Sequence, residues 1–593
     1  MLTLGLSMEH DASAAVARDG ALVAAVSEER LTREKGKWGV PISALDECLR
    51  LAGATRADVD VFCVALNKFP SSYLRRPSWF AELSERWHRA RRALLGRREE
   101  VTVGMMEFLA EARRRGALLA DLFDRERFRA DGFRKAEVRF VDHHAAHAWG
   151  AALHSGFDDA LVLTVDCIGA CCAQDEDVPH TLESLALQNL IPISHTTSSW
   201  KEGLLRRLWT SGLDGSPGAF YGSVTEGLGF ISPRHEGKVT GLAAWGKGRA
   251  LDGVFGTALA LAPEETHFTC EQAKDNPPNI SEARKAVIHR AMKGISREDV
   301  SGAAQRVLEQ VVLGHARWAL AKTGHGRLAL AGGVFGNVKL NQRLMELPEV
   351  EKVFVFPAMS DAGLAVAAAR MVADPAPRKS APLRDVYLGS FAMNAEVEAE
   401  LRRSGFAWAR VEGAERARRA ARFVADGKVL GLHQGRMEFG PRALGNRSIL
   451  ASPTDARIND ALNHRLGRSE FMPFAPSVLA ERCAEIFVNF ERGAHAAEFM
   501  TVTFEVKPAW RDRIPAVVHV DGTARPQAVH REKNPRYYDI LKAYEEITGL
   551  PVLVNTSFNV HEEPIVCRPS DALQALREKR VDALLIEDFW VTA

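Results

Sequence analysis

No run of this 593-residue chain approaches the roughly 20 apolar residues that a membrane-spanning helix needs, so no such helix is expected. Charge of one sign is missing too. The 77 Lys and Arg oppose 76 Asp and Glu, for a formal net charge of +1. That argues against a broad nucleic-acid surface but permits a local basic pocket. Cysteine is scarce, with 8 residues set mostly in apolar segments. A disulfide framework is therefore not expected, and the thiols read as reduced. Cys167, Cys171 and Cys172 lie close together, but their irregular spacing reads as buried thiols rather than a metal cluster. Residues 1–7 lack the basic start of a secretory signal. No internal sequence repeat is evident. These absences lead to the expectation of a cytoplasmic protein with neither membrane nor nucleic acid as a partner.

What is present is an ordinary globular composition, 46% hydrophobic and 26% charged, in a chain long enough for two to four domains. Leu2 to Ser7, Ala14 to Ala17 and Ala21 to Ser27 read as strands, with a hairpin turn at Asp19-Gly20. A helix is predicted over Ile42 to Leu51 and buried strands over Val59 to Ala65 and Ala160 to Asp166. Residues 73–135 read as an Arg-rich helical insertion with a solvated outer face. Leu328 to Asn337 reads as a strand, a glycine turn and the start of a helix. Val353 to Pro357 reads as a short strand before an alanine-rich helix. Residues 373–382 carry three prolines and form the clearest linker. They divide a first domain, 1–372, from a second, 383–593, in which strands and helices alternate again.

The most informative segment is Val141-Asp-His-His-Ala-Ala-His-Ala-Trp149. His143 and His147 are four residues apart, which on a helix puts both imidazoles on one face. With a third ligand from elsewhere they suit a transition metal, and Asp361, in a loop before a helix, is the candidate. Three loops after strands carry small residues able to cradle phosphate. They are Ser7 to Ser13, Asp166 to Gly169 and Gly332 to Asn337, giving Ser13, Asp166, Gly169, Gly332, Gly333 and Asn337 as candidate nucleotide contacts. His10, beside Asp11 in the first loop, is placed to be a general base for a hydroxyl.

In the second half, residues 435–448 gather Arg436, Arg442 and Arg447 around a Gly-Pro turn. Guanidinium forks among glycines suit an oxyanion-rich ligand. His519-Val-Asp-Gly-Thr-Ala-Arg525 and Asn555-Thr-Ser-Phe-Asn559 look equally loop-like and polar, the latter after a strand from Pro551 to Val554.

The order of the three phosphate-type loops resembles the actin, sugar-kinase and heat-shock ATPase superfamily. In that fold two ribonuclease-H-like units enclose a nucleotide. The fuller resemblance is to the O-carbamoyltransferases of nodulation-factor, cephamycin, aminoglycoside and ansamycin biosynthesis. It is carried by His10-Asp-Ala-Ser-Ala-Ala, Asp142-His-His-Ala-Ala-His-Ala, Glu236-Gly-Lys-Val-Thr-Gly-Leu-Ala-Ala-Trp-Gly246 and Ala331-Gly-Gly-Val-Phe-Gly-Asn337. The second half adds Glu438 to Ser448, Pro473-Phe-Ala-Pro476, residues 519–525 and 555–559, and Glu563-Pro-Ile565. The resemblance covers almost everything outside the Arg-rich insertion.

It implies an α/β fold whose C-terminal domain is similar to threonylcarbamoyl-adenylate synthase. It implies ATP as cosubstrate, with Mg2+ as a possible companion. It implies a divalent metal, commonly Fe(II), on His143, His147 and Asp361. Carbamoyl phosphate and a hydroxylated small-molecule acceptor would be the substrates. His10 and Asp11 would serve the acceptor, and Arg442 and Arg525 the carbamoyl phosphate. Lys238, Arg436, Arg447, Arg468, Asn555, Ser557 and Asn559 would complete the anion and nucleotide contacts. A homodimer is the expected assembly. The chain departs from the family's pattern at Cys167, where the second phosphate loop usually has glycine. It departs at Leu466 and Met472, where two cations usually stand, and at Val560-His-Glu-Glu563, usually a glycine-containing turn. Two other readings follow: a carbamoyl-type transferase acting on tRNA, and a nucleotide-binding regulator without turnover.

Overall fold

The computed structural model describes the chain apart from residues 9, 67–72, 74–113, 115–119, 121–122, 173–178, 183, 186–189, 274–279, 374–377 and 469–472. Most of the Arg-rich insertion and Met472 therefore lie outside the described residues.

The first half is built on two sheets with the same strand pattern. In one, Ala21–Ser27, Ser13–Arg18 and Leu2–Ser7 run antiparallel, then Val61–Leu66 and Glu137–Asp142 run parallel to Leu2–Ser7, with His180–Thr181 at the edge. In the other, Leu204–Gly212, Leu190–Lys201 and Asp159–Cys172 are antiparallel, followed by parallel Arg327–Ala331 and Lys352–Val355. Two like-wound sheets form a doubled α/β architecture, as the order of the three phosphate-type loops leads one to expect. The Asp19-Gly20 turn has φ of 49° and 79° at its two residues, as a two-residue hairpin of this twist requires.

Two small-residue helices, His143–Ser155 and Leu364–Met371, bury residues from end to end. One apolar cluster joins them to strand residues of both sheets. A helix without a polar face fits only where both sides are covered. The approach is close: a Cβ on Gly5 would lie 2.1 Å from the Ala365 carbonyl oxygen. The helix His143–Ser155 starts directly after Asp142, whose carboxylate caps it by accepting from Ala145 N at 3.0 Å.

The second half carries an eight-stranded mixed sheet. Its order is Ala407–Arg410, Phe589–Thr592, Ala583–Ile586, Leu430–His433, Arg447–Ala451, Val552–Ser557, Ala475–Leu479 and Gln527–Val529. Its core is continuous with that beneath the second sheet of the first half. The segment between the halves is pinned where it is described. Arg378 N donates to Gly203 O, Ala381 N to Leu153 O and Leu383 N to His154 O, while Leu388 O accepts from Ala25 N.

Of the Arg-rich insertion, the described Phe128 packs edge to face with Tyr73, Phe123 and Phe62, and Tyr73 with Phe62. That part belongs to the core of the first sheet.

Candidate active site

The helix His143–Ser155 delivers His143 and His147 to one point, as the four-residue spacing requires. Asp361 arrives from the loop after Lys352–Val355. Asp166 arrives from the strand Asp159–Cys172, where a bulge between Val165 and Gly169 breaks the ladder. His147 Nε2 lies 3.1 Å from Asp166 Oδ2 and 3.6 Å from Asp361 Oδ1, and His143 Nε2 lies 3.7 Å from each of the same two atoms. Ligand-type atoms of all four residues fall within 4.8 Å of one another, and all four are buried. Asp166, expected among nucleotide contacts, thus joins the group expected to hold metal.

The electrostatics of the group suit a cation. Burial alone would lower the His147 pKa, but the carboxylates of Asp166 and Asp361 outweigh it and hold it up to about 9. For Asp166, burial works upward and is overcome by the two imidazoles, leaving its carboxyl well below the usual range. Both ring nitrogens of His143, and Nε2 of His147, are buried without a hydrogen bond. Orphaned imidazole nitrogens facing two carboxylates fit a divalent ion with mixed N and O ligands.

The neighbouring His144 is different. Its Nδ1 sits 2.7 Å from Thr164 Oγ1 and its Nε2 3.2 Å from Ile193 O. Burial, then the adjacent His143 and His147, push it far down, so it is a neutral anchor for the helix. Gly169 allows this packing, since a Cβ there would come within 2.3 Å of His143.

His10 stands at the outer side of the group. Its Nδ1 is 3.6 Å from Asp361 Oδ2 and its Nε2 is 3.6 Å from Asp11 Oδ2, with 28% of the side chain exposed. Asp11 accepts from Ser360 Oγ at 2.9 Å, and Ser13 Oγ donates to Ala362 O at 2.7 Å. The hairpin loop is thereby tied to the loop bearing Asp361. Ser13 is a strut here. Gly333 N donates to Asp166 Oδ2 at 3.2 Å, and Gly332 has φ of 102° with no room for a Cβ beside Val165. These glycines hold Asp166 in place. Asn337 caps the helix Val338–Met345 and pairs with Gln305.

A cavity of about 300 Å³ opens between the halves. The second half gives it Arg442, Arg468, Arg525, Asn555, Ser557 and Asn559, as expected from sequence, and the first half gives it Lys238. Lys35 and Arg234, which the sequence reading missed, also line it. Neither belongs to a dense motif, and only folding brings them there. Arg468 is fixed by Thr556 Oγ1 at 2.8 Å, Ser557 Oγ at 3.1 Å and Asn559 Oδ1 at 2.9 Å. A second cavity of about 270 Å³ adjoins it, sharing Thr240, Val338, Phe474 and Arg525.

Two of the expected anion contacts need correction. The Arg436 guanidinium donates to Val23 O, Leu388 O and Gly389 O, which occupies it in joining the halves. Arg447 is fully buried and donates to the carbonyls of Gln434, Gly435, Asn446 and Ser390. Both are structural, because neither lines the cavity and their guanidinium groups are spent largely on backbone carbonyls. Leu466 is buried at the end of the helix Ile458–Arg465, and Arg465 pairs with Asp582 at 2.8 Å, so Arg465 does not replace the missing cations.

His235, His561 and Glu562 form another close trio. Its bonding is not that of a metal site. His235 Nδ1 accepts from Ile231 N at 3.2 Å, which puts the ring proton on Nε2, 2.7 Å from Glu562 Oε1.

Comparison with known proteins now bears on this geometry. Residues 2–370 match the family model described as carbamoyltransferase N-terminus, and residues 421–593 match that of the carbamoyltransferase C-terminus. The nodulation protein NolNO of Sinorhizobium fredii is 33% identical over 100% of this chain and 80% of its own length. An uncharacterised Synechocystis protein is 31% identical over 99% and 96%. The nodulation protein NolO of Bradyrhizobium diazoefficiens is 36% identical over 76% and 78%. Both halves of the fold are thus accounted for by one family, and the chain belongs to the carbamoyltransferases, enzymes that pass a carbamoyl group from a donor to an acceptor.

Proposed function

We propose that the protein is an ATP-dependent O-carbamoyltransferase that makes carbamoyl-adenylate from carbamoyl phosphate and passes the carbamoyl group to a hydroxyl of a small natural product. The observation that carries this reading is the placement of a cation-lined cavity at the seam of the halves, beside a buried ligand group with an accessible histidine. Carbamoyl is a poor electrophile, because nitrogen donates into the carbonyl. Loss of phosphate to water leaves carbamate, whose oxygen attacks the α-phosphorus of ATP and expels pyrophosphate. The mixed anhydride has a better leaving group.

Arg442, Arg468 and Arg525, with Lys35 and Lys238, would hold the phosphate groups by charge-assisted hydrogen bonds. The adjoining cavity would take the rest of the nucleotide. His143, His147, Asp166 and Asp361 would hold a divalent metal, Fe(II) being the family expectation, which as a Lewis acid would polarise a carbonyl. His10, braced by Asp11, would accept the proton of the attacking hydroxyl. Closure between the halves would keep the anhydride from water.

The test is incubation with ATP, carbamoyl phosphate and a panel of hydroxylated acceptors, read by mass. Arg442→Ala and Arg525→Ala should each lose carbamoyl-phosphate-dependent pyrophosphate release, by about 2–4 kcal/mol in apparent barrier. His10→Asn should spare that release and abolish transfer. Normal release in Arg525→Ala would move carbamoyl phosphate elsewhere, and transfer at the parent rate in His10→Asn would remove the base assignment.

A further inference from the structure

At the rim of the seam cavity the chain makes a second, unassigned arrangement. Glu562 sits at φ of 61°, a left-handed conformation that suits glycine and that other residues keep only when their surroundings enforce it. Its carboxylate is held twice by the first half: His235 Nε2 donates to Oε1 at 2.7 Å and Arg234 Nη1 to Oε2 at 3.2 Å. The His561 ring stacks on His235, with centroids 5.7 Å apart and planes at 27°, and His561 Nε2 lies 3.4 Å from Lys238 Nζ.

Arg234 also reaches in the other direction, donating Nη2 to Lys35 O at 3.0 Å. Arg33 makes a parallel tie, donating to Ile565 O at 2.7 Å and Pro564 O at 2.8 Å. The segment so fastened, residues 33–39, is the one that encloses His10. Ala12 N donates to Lys37 O at 3.1 Å, Gly39 N donates to Met8 O at 3.3 Å, and Trp38 places its ring 5.7 Å from the His10 ring.

We propose that Glu562 is a positioning residue for carbamoyl transfer, linking the anion cavity of the second half through Arg234 to the segment around His10 and closing the cavity rim against water. This rests on the function proposed above. The carboxylate takes up cationic donors that face the cavity, and in doing so it fixes 33–39 in register with residues 555–563. Without it, the cations of the cavity remain and the anhydride still forms. The seam then loosens, and water attacks the carbamoyl carbon in place of the acceptor. That step breaks the anhydride C–O bond, releases AMP, and leaves carbamic acid to decay to carbon dioxide and ammonia.

The experiment uses the full-length enzyme without acceptor, with water and hydroxylamine as probes of access. Glu562→Gly suits the backbone and removes the tie. First-turnover pyrophosphate release should match the parent, while AMP release and hydroxyurea formation rise by about threefold or more. Glu562→Gln, which keeps an oxygen for Arg234 and His235, should stay close to the parent. Arg234→Ala should leak like Glu562→Gly, and the double variant no more than either, the signature of one shared contact. Parent-like AMP release in Glu562→Gly overturns the proposal, and so does an equal loss of pyrophosphate release. If the parent gives no carbamoyl-phosphate-dependent pyrophosphate, the functional reading fails instead. Amide exchange then still decides the tie: residues 34–39 should exchange faster in Glu562→Gly, and unchanged exchange rejects it.

Discussion

Gly169 has no room for even one carbon beside His143. Gly169→Ala should therefore cost on the order of 1–3 kcal/mol by overpacking and also lower metal content, because the strain falls on the imidazole. Elemental analysis beside a thermal melt checks both, and full metal content at reduced stability would detach Gly169 from the ligand group. His147 gives a pH prediction. The Asp166 and Asp361 carboxylates hold its pKa at about 9 in the fold, above the roughly 6.5 of an unfolded chain. The proton is thus bound more tightly when folded. That stabilisation is complete below pH ~6.5 and is lost as pH rises through about 9. A metal needs the neutral ring, so uptake near pH 7.5 should release a proton, and apparent affinity should climb toward pH 9. Calorimetry in two buffers of different ionisation enthalpy measures the proton; none released would contradict the assignment. His147→Ala and Asp166→Asn should each lose the metal. At this scale the sequence showed pairs linked by local period, such as His143 and His147. It did not show what Asp166 faces, because an acid ending a strand looks the same beside a phosphate, a metal or a helix end. Lys35 and Arg234 were invisible for the same reason, being brought to the cavity by tertiary packing alone.

Among elements, strands with unbroken apolar runs were legible. Leu2–Ser7 and Ala21–Ser27 lie where the pattern placed them. Leu190–Lys201 and Leu204–Gly212 gave no such signal. Their inward positions carry His, Ser and Thr, and His195 bonds to Ser211 and Thr197, so polar pairs replace the alternation on which a reader relies. The strand from Asp159 runs on to Cys172 rather than stopping at Asp166, because a bulge carries it past the acid. The Gly435–Ser448 motif was legible as arginine-rich but not in its division of labour. Arg442 lines the cavity, whereas Arg447 braces four carbonyls. Arg447→Ala should lower unfolding free energy by about 3 kcal/mol or more, since buried acceptors lose their donor. Urea unfolding reads this, and a parent-like midpoint with lost pyrophosphate release would return Arg447 to the anion site.

On the scale of the molecule, a single apolar core passes from the second sheet of the first half into the eight-stranded sheet. Fragments 1–372 and 383–593 made separately should aggregate and, made together, should co-purify. A soluble, cooperatively melting 383–593 fragment would show that the shared core is dispensable. The ligand group also belongs to no single sheet. His143 and His147 follow the first one, while Asp166 and Asp361 come from the second. An ion held there would be a rivet through two plates, since its four ligands are largely shielded from solvent, Asp166 being the most open with 12% of its side chain exposed. Exchange of the ion should then be governed by how often the plates part rather than by the strength of its bonds. Isotope exchange should be slow and alike for metals of different affinity, and a chelator should act at a rate independent of its concentration. The ion's residence time would become a clock for the breathing of the fold.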